Sequence, residues 1–309
     1  MKETQEQTVP VRRLRDDLAF LDIVTEWDSV SGYHQWKAAA VVPATFLPRA
    51  TQSYVIAVAN QKGGVGKTIT SLELGLAMVA RGKRVRVINA DPQEASLTSW
   101  VPPLFPDDVA EADRYTLTDV YYERCTLAQA TWPTRYEGLF VVPSLPDLAT
   151  VEKEVPTGAE TCLRYHLREV EDDFDVTIID SGPSLGLLSV SGLVAAHDVV
   201  IPVQAASALD IKGAVALYTT IHRVQSRMNR DLRVAAVVLT DFERSSLARE
   251  IGAEMAKAFP DALIIPARTC VDIGRAQMMQ QALRELSPTA TTVQDYDQGA
   301  GVLLEGRGA

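Results

Sequence analysis

The sequence has few of the features that build disulfide frameworks, metal clusters or membrane spans. Its 309 residues include three cysteines, Cys125, Cys162 and Cys270, which lie far apart and match no metal-binding or redox spacing. No apolar run approaches the roughly 18–20 residues that a membrane-spanning helix needs. The opening residues, from Met1 onward, lack the apolar core of a signal peptide. We therefore expect a protein of a reducing, cytoplasmic compartment that does not act at a membrane.

Positive charge is also scarce. The chain has 40 acidic and 30 basic residues, and its net charge is −10. This balance argues against a surface that is basic throughout, as a general coat for nucleic acid would be. It leaves room for a local basic patch, because phosphate contacts need only a few aligned lysines or arginines.

Short β-branched runs alternate with helical stretches from Tyr54 onward. The expected strands are mostly apolar throughout, as strands buried on both faces are, and they are Tyr54–Ala59, Arg84–Asn89, Leu139–Val142, Val176–Asp180, Val199–Val203, Arg233–Leu239 and Leu263–Ile265. The clearest helical stretches are Ile69–Arg81, Leu209–Met228 and Ser246–Phe259. This alternation predicts an α/β fold with a mostly parallel sheet and helices on both faces. In such folds ligands bind at the carboxyl ends of the strands.

Two segments do not follow this alternation. In residues 1–50, four apolar residues at helical spacing predict one amphipathic helix over Val11–Glu26, and they are Leu14, Leu18, Leu21 and Val24. Because about 50 residues are few for a self-standing domain, we interpret 1–50 as a helical arm and 51–309 as one α/β domain. The Pro- and Asp-rich segment Val101–Asp113 predicts a surface loop.

A glycine-rich turn follows the first strand. Gly63-Gly64-Val65-Gly66-Lys67-Thr68 leads directly into a helical stretch. Glycines let successive backbone N–H groups approach phosphate oxygens, and the helix N-terminus adds partial positive charge. Lys67 can neutralise β- and γ-phosphates, and the Thr68 hydroxyl can bind Mg²⁺. Strand, turn, Lys-Thr and helix in this order predict a site for a nucleoside triphosphate.

The start of this turn departs from the general phosphate-loop pattern. Gln61 stands where that pattern has its first glycine, and Lys62 follows it. With these departures the stretch resembles the deviant Walker A box of the ParA/MinD ATPase family. The resemblance implies that Lys62 reaches across a dimer interface to the nucleotide of the other subunit, so that ATP binding drives homodimer formation. A solvated lysine on a loop is the alternative.

The resemblance covers about residues 53–290 and makes 51–309 a ParA-like ATPase domain. It assigns Lys62–Thr68 to the nucleotide site, together with Ile69 at the start of the following helix. In relatives, the strand-end loop matching Ile265–Arg268 borders the adenine base, which brings in Pro266. An Asn-Lys-x-Asp guanine box is absent from the sequence, which favours ATP over GTP.

A second box lies at the end of the next strand. Asn89-Ala-Asp91-Pro-Gln resembles the family's D-x-D-P-Q-G-N, and by that match Asp91 orients or activates the attacking water. Asn89 replaces the first aspartate, and Glu94-Ala95 replace Gly-Asn. Asn89 can still hydrogen-bond but carries no charge, which puts magnesium affinity or hydrolysis rate in question.

A third motif places Asp180 at the end of an apolar strand, as a Walker B aspartate is placed. We expect Asp180 to hold Mg²⁺ through water, together with Thr68, whereas a helix N-cap is the alternative. The following Ser181-Gly182-Pro183-Ser184 resembles the family's D-x-P-P switch segment, with Gly182 in place of the first proline.

One basic cluster is conspicuous in this acidic chain. Arg223, Arg227 and Arg230 are spaced to share one helix face, and Arg233 follows them. By resemblance to DNA-partition relatives, these residues bind duplex DNA without sequence preference, and Lys257 on the next helix extends the patch. A solvated helix end is the alternative, since arginines also suit that end of the helix dipole.

These features together resemble a ParA-type DNA-partition ATPase. The resemblance implies a cytoplasmic, nucleoid-associated homodimer that uses ATP and Mg²⁺, with Lys62, Lys67 and Asp91 in catalysis. It implies release of double-stranded DNA on hydrolysis stimulated by a ParB-type centromere-binding partner. The glycine-rich end from Gln298 is unlike the basic amphipathic helix of membrane-attached relatives. Two alternatives remain: an ATPase of this family that positions a protein cargo on the nucleoid, and a DNA-binding regulator that reads an operator through residues 1–50.

Overall fold

The computed structural model describes residues 53–94, 96–169, 174–205 and 209–306. The arm expected over 1–50, with its helix at Val11–Glu26, lies outside these residues, and so does Ala95.

Eight strands form one sheet. They are β1 (Tyr54–Val58), β2 (Val85–Ala90), β3 (Trp132–Pro133), β4 (Leu139–Val142), β5 (Val176–Ser181), β6 (Asp198–Gln204), β7 (Arg233–Phe242) and β8 (Leu263–Arg268). Their order across the sheet is β3-β4-β2-β5-β1-β6-β7-β8. All neighbours pair in parallel except β3, which is antiparallel to β4. The expected α/β fold with a mostly parallel sheet is confirmed.

Helices cover both faces of this sheet. The described helices are α1 (Lys67–Val79), α2 (Leu97–Trp100), α3 (Leu117–Tyr121), α4 (Ala149–Glu154), α5 (Ala159–Glu169), α6 (Leu187–Ala195), α7 (Leu209–Arg227), α8 (Ser246–Ala258), α9 (Asp272–Met278), α10 (Leu283–Leu286) and α11 (Thr291–Glu305). The segment expected as a surface loop, Val101–Asp113, is irregular apart from a 3₁₀ turn at Glu111–Asp113.

The apolar core consists of two layers, one on each side of the sheet. Val55 and Ala57 of β1 pack with α3, α5, α6, α7 and α8, whereas Ile56 and Val58 pack with α1, α10 and α11. Since side chains along a strand alternate between faces, a strand covered on both sides must be apolar throughout. That is why the sequence reads as continuous apolar runs.

The last strand is longer than expected. The sequence predicted a strand ending at Ile265 and a loop over Ile265–Arg268, but β8 continues to Arg268. Pro266 is tolerated because β8 is an edge strand. Arg268 is held beyond it by Asp295 of α11, which accepts bonds from the Arg268 main-chain N–H (3.0 Å) and from Nε (2.9 Å).

The described part of the glycine-rich stretch from Gln298 lies in α11 as far as Glu305, and α11 packs against α1 and β8. A Cβ at Gly299 would lie 2.7 Å from Cδ1 of Ile265. Glycine therefore permits close packing of this helix on the sheet. The helix buries Tyr296 and Leu303 against this core.

Candidate nucleotide-binding site

The carboxyl ends of β1, β2 and β5 bring the sequence motifs together. Val58 of β1 and Asn89 of β2 both lie level with Asp180 of β5. The glycine-rich loop follows β1, and Asp91 follows β2 directly. The loop, Asp91 and Asp180 therefore share the edge of the sheet at which parallel folds bind their ligands.

The loop between β1 and α1 has the backbone form of a phosphate cradle. Gly64 and Gly66 have positive φ angles of 73° and 83°, which residues with a side chain rarely adopt. Because α1 begins at Lys67, directly after the loop, the positive end of its dipole faces the loop. The hydroxyl of Thr240, near the end of β7, donates to the Val65 carbonyl oxygen at 2.9 Å and fixes the loop on the sheet.

Lys67 is buried at the centre of this arrangement. Its Nζ donates to the main-chain carbonyl of Lys62 at 3.0 Å. Burial lowers the pKa of the Lys67 ammonium, and the charges of Asp180 and Asp91 act in the opposite direction. The three ionisable side chains thus lie within electrostatic range of one another. A bound phosphate can replace the carbonyl as the partner of the ammonium.

The main chain of Lys62 is fixed in the loop. Its N–H donates to Oδ1 of Asn60 at 3.1 Å, and Nδ2 of Asn60 donates to the Pro202 carbonyl at 2.6 Å. The neighbouring Gln61 and Gly63 are exposed. The loop therefore presents Lys62 at an open surface, where its expected role toward a second protomer stays a prediction.

Asp180 is buried in β5 and has one unpaired carboxylate oxygen. Its Oδ1 accepts a bond from the Ser71 hydroxyl at 2.8 Å, whereas Oδ2 has no hydrogen-bond partner among the described residues. Burial raises the pKa of Asp180 to about 6, and the Ser71 and Thr68 hydroxyls act against that rise. A buried carboxylate oxygen close to a threonine hydroxyl fits a hydrated Mg²⁺, which keeps several of its waters.

The alternative role for Asp180 as a helix cap is wrong. The next helix, α6, begins at Leu187 and its N-cap is Gly186. Ser71, by contrast, was not found from the sequence, although it lies four residues after Lys67 and therefore on the same face of α1. A small polar residue one helical turn after Lys67 is the signal that identifies it.

Asp91 is buried opposite the loop. Its Oδ1 accepts the Gln93 N–H at 3.0 Å. Burial raises the pKa of Asp91, while the Gln93 bond and the Lys67 charge lower it. A Cβ at Gly182 would lie 3.2 Å from the same Oδ1. The glycine that replaces the family's proline therefore leaves room for the Asp91 carboxylate.

The two other residues assigned to the nucleotide are both buried. Ile69 lies in the first turn of α1 and packs into the apolar core. Pro266 is buried in the edge strand β8, level with Leu239 of β7. The structure places Pro266 in a strand, where the sequence had predicted a loop, because β7 and α11 hold the chain extended to Arg268.

The basic cluster lies at the opposite edge of the sheet from the loop. Strand β7 is parallel to β6, and β6 is parallel to β1, so the first residue of β7, Arg233, marks the amino edge. Arg223 and Arg227 are exposed on the last turns of α7, which ends at Arg227. The expectation that Arg230 shares their helix face is wrong, since Arg230 lies exposed in the turn after the helix.

Asn229 explains why the helix stops there. Its buried side-chain Nδ2 donates to the carbonyl oxygens that end α6, those of Leu193 (3.1 Å), Val194 (3.2 Å) and Ala196 (2.7 Å). This contact holds the chain against α6, so Arg230 leaves the path of α7.

Two members of the basic cluster form ion pairs. Nε of Arg233 lies 3.1 Å from Oδ1 of Asp198, whose side chain is fully buried. Nζ of Lys257 lies 2.7 Å from Oε1 of Glu254 on the surface of α8. The exposed positive charge of the cluster is therefore concentrated on the three arginines Arg223, Arg227 and Arg230.

Across the described ranges, no helix is long and apolar enough to cross a membrane. The same residues contain no group of three or more His, Cys, Asp or Glu side chains that could hold a metal ion. A divalent ion at Thr68 and Asp180 would therefore need phosphate oxygens and water as its other ligands, as is usual for Mg²⁺ at nucleotide sites.

Fold and loop together define a P-loop nucleotide-binding protein, and comparison with known proteins agrees. A family model described as "AAA domain" matches residues 53–234. The chain is 37% identical over 211 residues to the sporulation initiation inhibitor protein Soj of Bacillus subtilis (strain 168), covering 67% of this chain and 80% of Soj. It is 35% identical over 215 residues to the chromosome partitioning protein ParA of Caulobacter vibrioides (strain NA1000 / CB15N), covering 67% of this chain and 77% of that protein.

The chain also resembles a solved structure that holds an ATP analogue. Cobyrinic acid a,c-diamide synthase from Mycobacterium smegmatis, with bound ATP analogue and magnesium, aligns with a TM-score of 0.69 at 31% identity, covering 82% of this chain and 94% of that one. The chain therefore belongs to the ParA-type family of P-loop ATPases. The family resemblance found in the sequence is confirmed.

Proposed function

We propose that this chain is a DNA-partition ATPase that hydrolyses ATP to ADP and phosphate with Mg²⁺ as cofactor. The observation that carries the proposal is the meeting of Lys67, Asp91 and Asp180 at the glycine-rich loop, within electrostatic range of one another. The similarity to Soj and ParA supports partition as the task, and the ATP analogue and magnesium in the related synthase structure support the ligands.

The loop residues Gly63–Thr68 bind the phosphates through their main-chain N–H groups. Lys67 exchanges its bond with the Lys62 carbonyl for phosphate oxygens. Thr68 and Asp180, with its unpaired Oδ2, would hold the Mg²⁺ ion. Bound there, the ion would supply positive charge against the oxygens of the β- and γ-phosphates.

Asp91 orients the water that attacks the γ-phosphate. In phosphoryl transfer, positioning and charge stabilisation are most of what a protein contributes. Burial beside Gly182 fixes the Asp91 carboxylate, and the raised pKa makes it a better acceptor for a proton of that water. Ile69 and Pro266, both buried, support the phosphate and adenine ends of the site from behind.

Homodimer formation requires a second protomer at the carboxyl edge of the sheet. Gln61, Gly63 and Gly64 are exposed there, so the outer side of the loop is open to a partner. Lys62 then contacts the nucleotide of the other subunit, and ATP is the ligand that joins the two. The ATPase domain is 51–309, and the arm 1–50 is an accessory to it.

Double-stranded DNA binds at the amino edge, through Arg223, Arg227 and Arg230, with Arg233 and Lys257 at the margin. Because this edge is opposite the loop, it stays accessible when two protomers join at their carboxyl edges. Two linked patches bind one duplex far more tightly than either patch alone, by about 10²–10⁴-fold. ATP-driven dimerisation therefore controls DNA affinity, and hydrolysis, stimulated by a ParB-type partner, releases the DNA. This cycle places the protein in the cytoplasm, on the nucleoid.

The test is duplex-DNA binding without nucleotide, with ADP, and with a slowly hydrolysed ATP analogue plus Mg²⁺, each over a series of salt concentrations. We expect salt-sensitive binding of unrelated duplexes in the analogue state only. Lys67→Ala protein is the control and should show no response to nucleotide. Equal binding in all three states would contradict the gating by ATP, and binding of one sequence alone would favour the regulator.

A further inference from the structure

The residue that departs most clearly from the second sequence box, Asn89, is fully buried and satisfies its side chain with three hydrogen bonds. Nδ2 donates to Oγ of Ser96 at 2.7 Å and to Oγ1 of Thr98 at 2.6 Å. Oδ1 accepts the main-chain N–H of Asp91 at 3.2 Å. The amide therefore links the end of β2 to the first residues of α2.

Ser144, which follows the end of β4, also contacts Thr98 and Asp91. The main-chain N–H of Ser144 donates to Oγ1 of Thr98 at 3.0 Å. The Ser144 hydroxyl donates to the main-chain carbonyl of Asp91 at 2.7 Å. Asn89, Thr98, Ser144 and Asp91 thus form a closed ring of hydrogen bonds, which we call the Asp91 ring.

The Asp91 ring holds both polar main-chain groups of Asp91, its N–H through Asn89 and its carbonyl through Ser144. A side chain takes its direction from its own backbone. The carboxylate has little space in which to turn, because it accepts the Gln93 N–H and lies against Gly182. The orientation of the carboxylate is therefore set by the ring together with these two contacts.

We infer that Thr98 and Ser144 are positioning residues for hydrolysis: the Ser144 hydroxyl holds the Asp91 carbonyl, the Thr98 hydroxyl holds Asn89 and the Ser144 main chain, and together they aim the Asp91 carboxylate at the attacking water. This inference rests on the proposed ATPase function. Neither residue is part of the phosphate loop, so nucleotide binding does not depend on them.

The chemistry of the ring also gives a reason for asparagine at position 89. In the ring the side chain donates twice and accepts once, which a neutral amide can do. An aspartate could only accept, so the Ser96 and Thr98 hydroxyls would have to turn and donate to it. It would also bury a second negative charge close to Asp91, in a place where burial already disfavours the charged form.

The experiment measures single-turnover ATP hydrolysis and the affinity for a slowly hydrolysed ATP analogue in variants of the full chain. Thr98→Val and Ser144→Ala should each lower the hydrolysis rate by about 10- to 100-fold, because small misplacements of a catalytic group have effects of this size. Affinity for the analogue should not change. Thr98→Ser keeps the hydroxyl and should restore most of the rate.

Two controls separate positioning from general damage. Thr131→Val makes the same substitution at a hydroxyl that donates to the Leu127 carbonyl (2.6 Å), outside the ring, and should hydrolyse ATP normally. In an Asp91→Ala background, Thr98→Val should cause no further loss, since a residue that acts through Asp91 has nothing left to position. Thermal unfolding of each variant confirms that it is folded.

The outcomes separate the positioning role of the Asp91 ring from the proposed ATPase function. Wild-type rates in Thr98→Val and Ser144→Ala, with Asp91→Ala slow, would overturn the ring and leave the proposed ATPase standing. A further loss from Thr98→Val in the Asp91→Ala background, or weaker analogue binding, would also overturn it. A wild-type rate in Asp91→Ala would instead overturn the assignment of Asp91, and the ring with it.

Discussion

The guanidinium of Arg284 forms an ion pair with the carboxylate of Glu73, with 2.9 Å between Nε and Oε2. Glu73 is fully buried in the middle of α1, the helix that begins at the phosphate loop. Arg284 also donates to the main-chain carbonyl of Glu73 at 3.0 Å and to Oδ1 of Asp297 at 3.1 Å. The C-terminal helices α10 and α11 are therefore tied to the helix that carries Lys67.

Breaking this pair should destabilise the whole domain. Arg284→Met leaves the buried Glu73 without its partner, and an uncompensated buried charge costs about 3–5 kcal/mol. The double variant Glu73→Leu with Arg284→Met should recover most of that loss, since an apolar pair can replace a buried ion pair. Urea unfolding measures the stability of both variants.

Arg135→Met is the control, because it breaks a more exposed pair, with Glu285, and should cost only about 0–1 kcal/mol. Similar losses in Arg284→Met and Arg135→Met would contradict this account.

Low pH should partly rescue Arg284→Met. Burial raises the pKa of Glu73 above its ordinary 4.5, and Arg284 acts against that rise, so removing the arginine raises the pKa further. The native state then holds a proton more tightly than the unfolded state, and stability falls as pH rises through the native pKa. The stability gap to wild type should be smaller at about pH 5 than at about pH 7. The gap should lose this dependence when Glu73→Gln is added, and a gap that widens at the lower pH would refute the argument.

Replacing Lys67 and replacing Lys62 should impair different steps, ATP binding and dimer formation respectively. Lys67→Ala removes the buried ammonium that meets the phosphates, so ATP binding should be lost. Lys62→Ala leaves the loop hydrogen bonds in place, because Lys62 holds Lys67 through its main-chain carbonyl. This variant should keep much of its ATP binding but form ATP-dependent dimers weakly. Sedimentation with an ATP analogue distinguishes the two, and normal dimers of Lys62→Ala would show that this lysine does not act across the interface.

The central features of the site were predictable because local order specifies them. A buried strand followed by Gly63–Thr68 must place Lys67 at the carboxyl edge, and Asp91 and Asp180 follow their own strands to the same edge. Residues whose partners lie far along the chain were not predictable. Ser71 meets Asp180 across a separation of 109 residues. Ser144 meets Asp91 across 53 residues.

Contacts with distant residues also explain why the ends of β8 and α7 were predicted wrongly. The family resemblance implied a loop over Ile265–Arg268, and it is a strand because β7 and Asp295 hold it extended. The spacing of Arg230 fits the helix face of Arg223 and Arg227, but Asn229 anchors the chain to α6 and ends the helix first. Periodicity indicates what a segment prefers, and distant contacts decide where it stops.

The structure also shows how to test DNA binding without harming the fold. Arg233 is a poor target, because it pairs with the fully buried Asp198 and its removal would leave that charge without a partner. Arg227 and Arg230 are exposed, so reversing both to glutamate should cost no more than the unfavourable helix-dipole contacts, about 1 kcal/mol or less each. The double variant should bind duplex DNA in the ATP-analogue state at least about tenfold more weakly, with a shallower salt dependence, because fewer phosphates are neutralised.

A matched control makes this result interpretable. Arg124→Glu with Lys153→Glu reverses two exposed charges away from the cluster and changes net charge by the same amount. Arg124 lies in the turn after α3, in a surface ion pair with Asp119, and Lys153 lies on α4. If electrostatics act through the cluster, only the Arg227 and Arg230 reversals reduce DNA binding, while analogue binding and dimer formation stay normal in both proteins. Equal weakening by the two double variants would show that net charge alone determines affinity, and unchanged binding would mean that the arginines are only a solvated helix end.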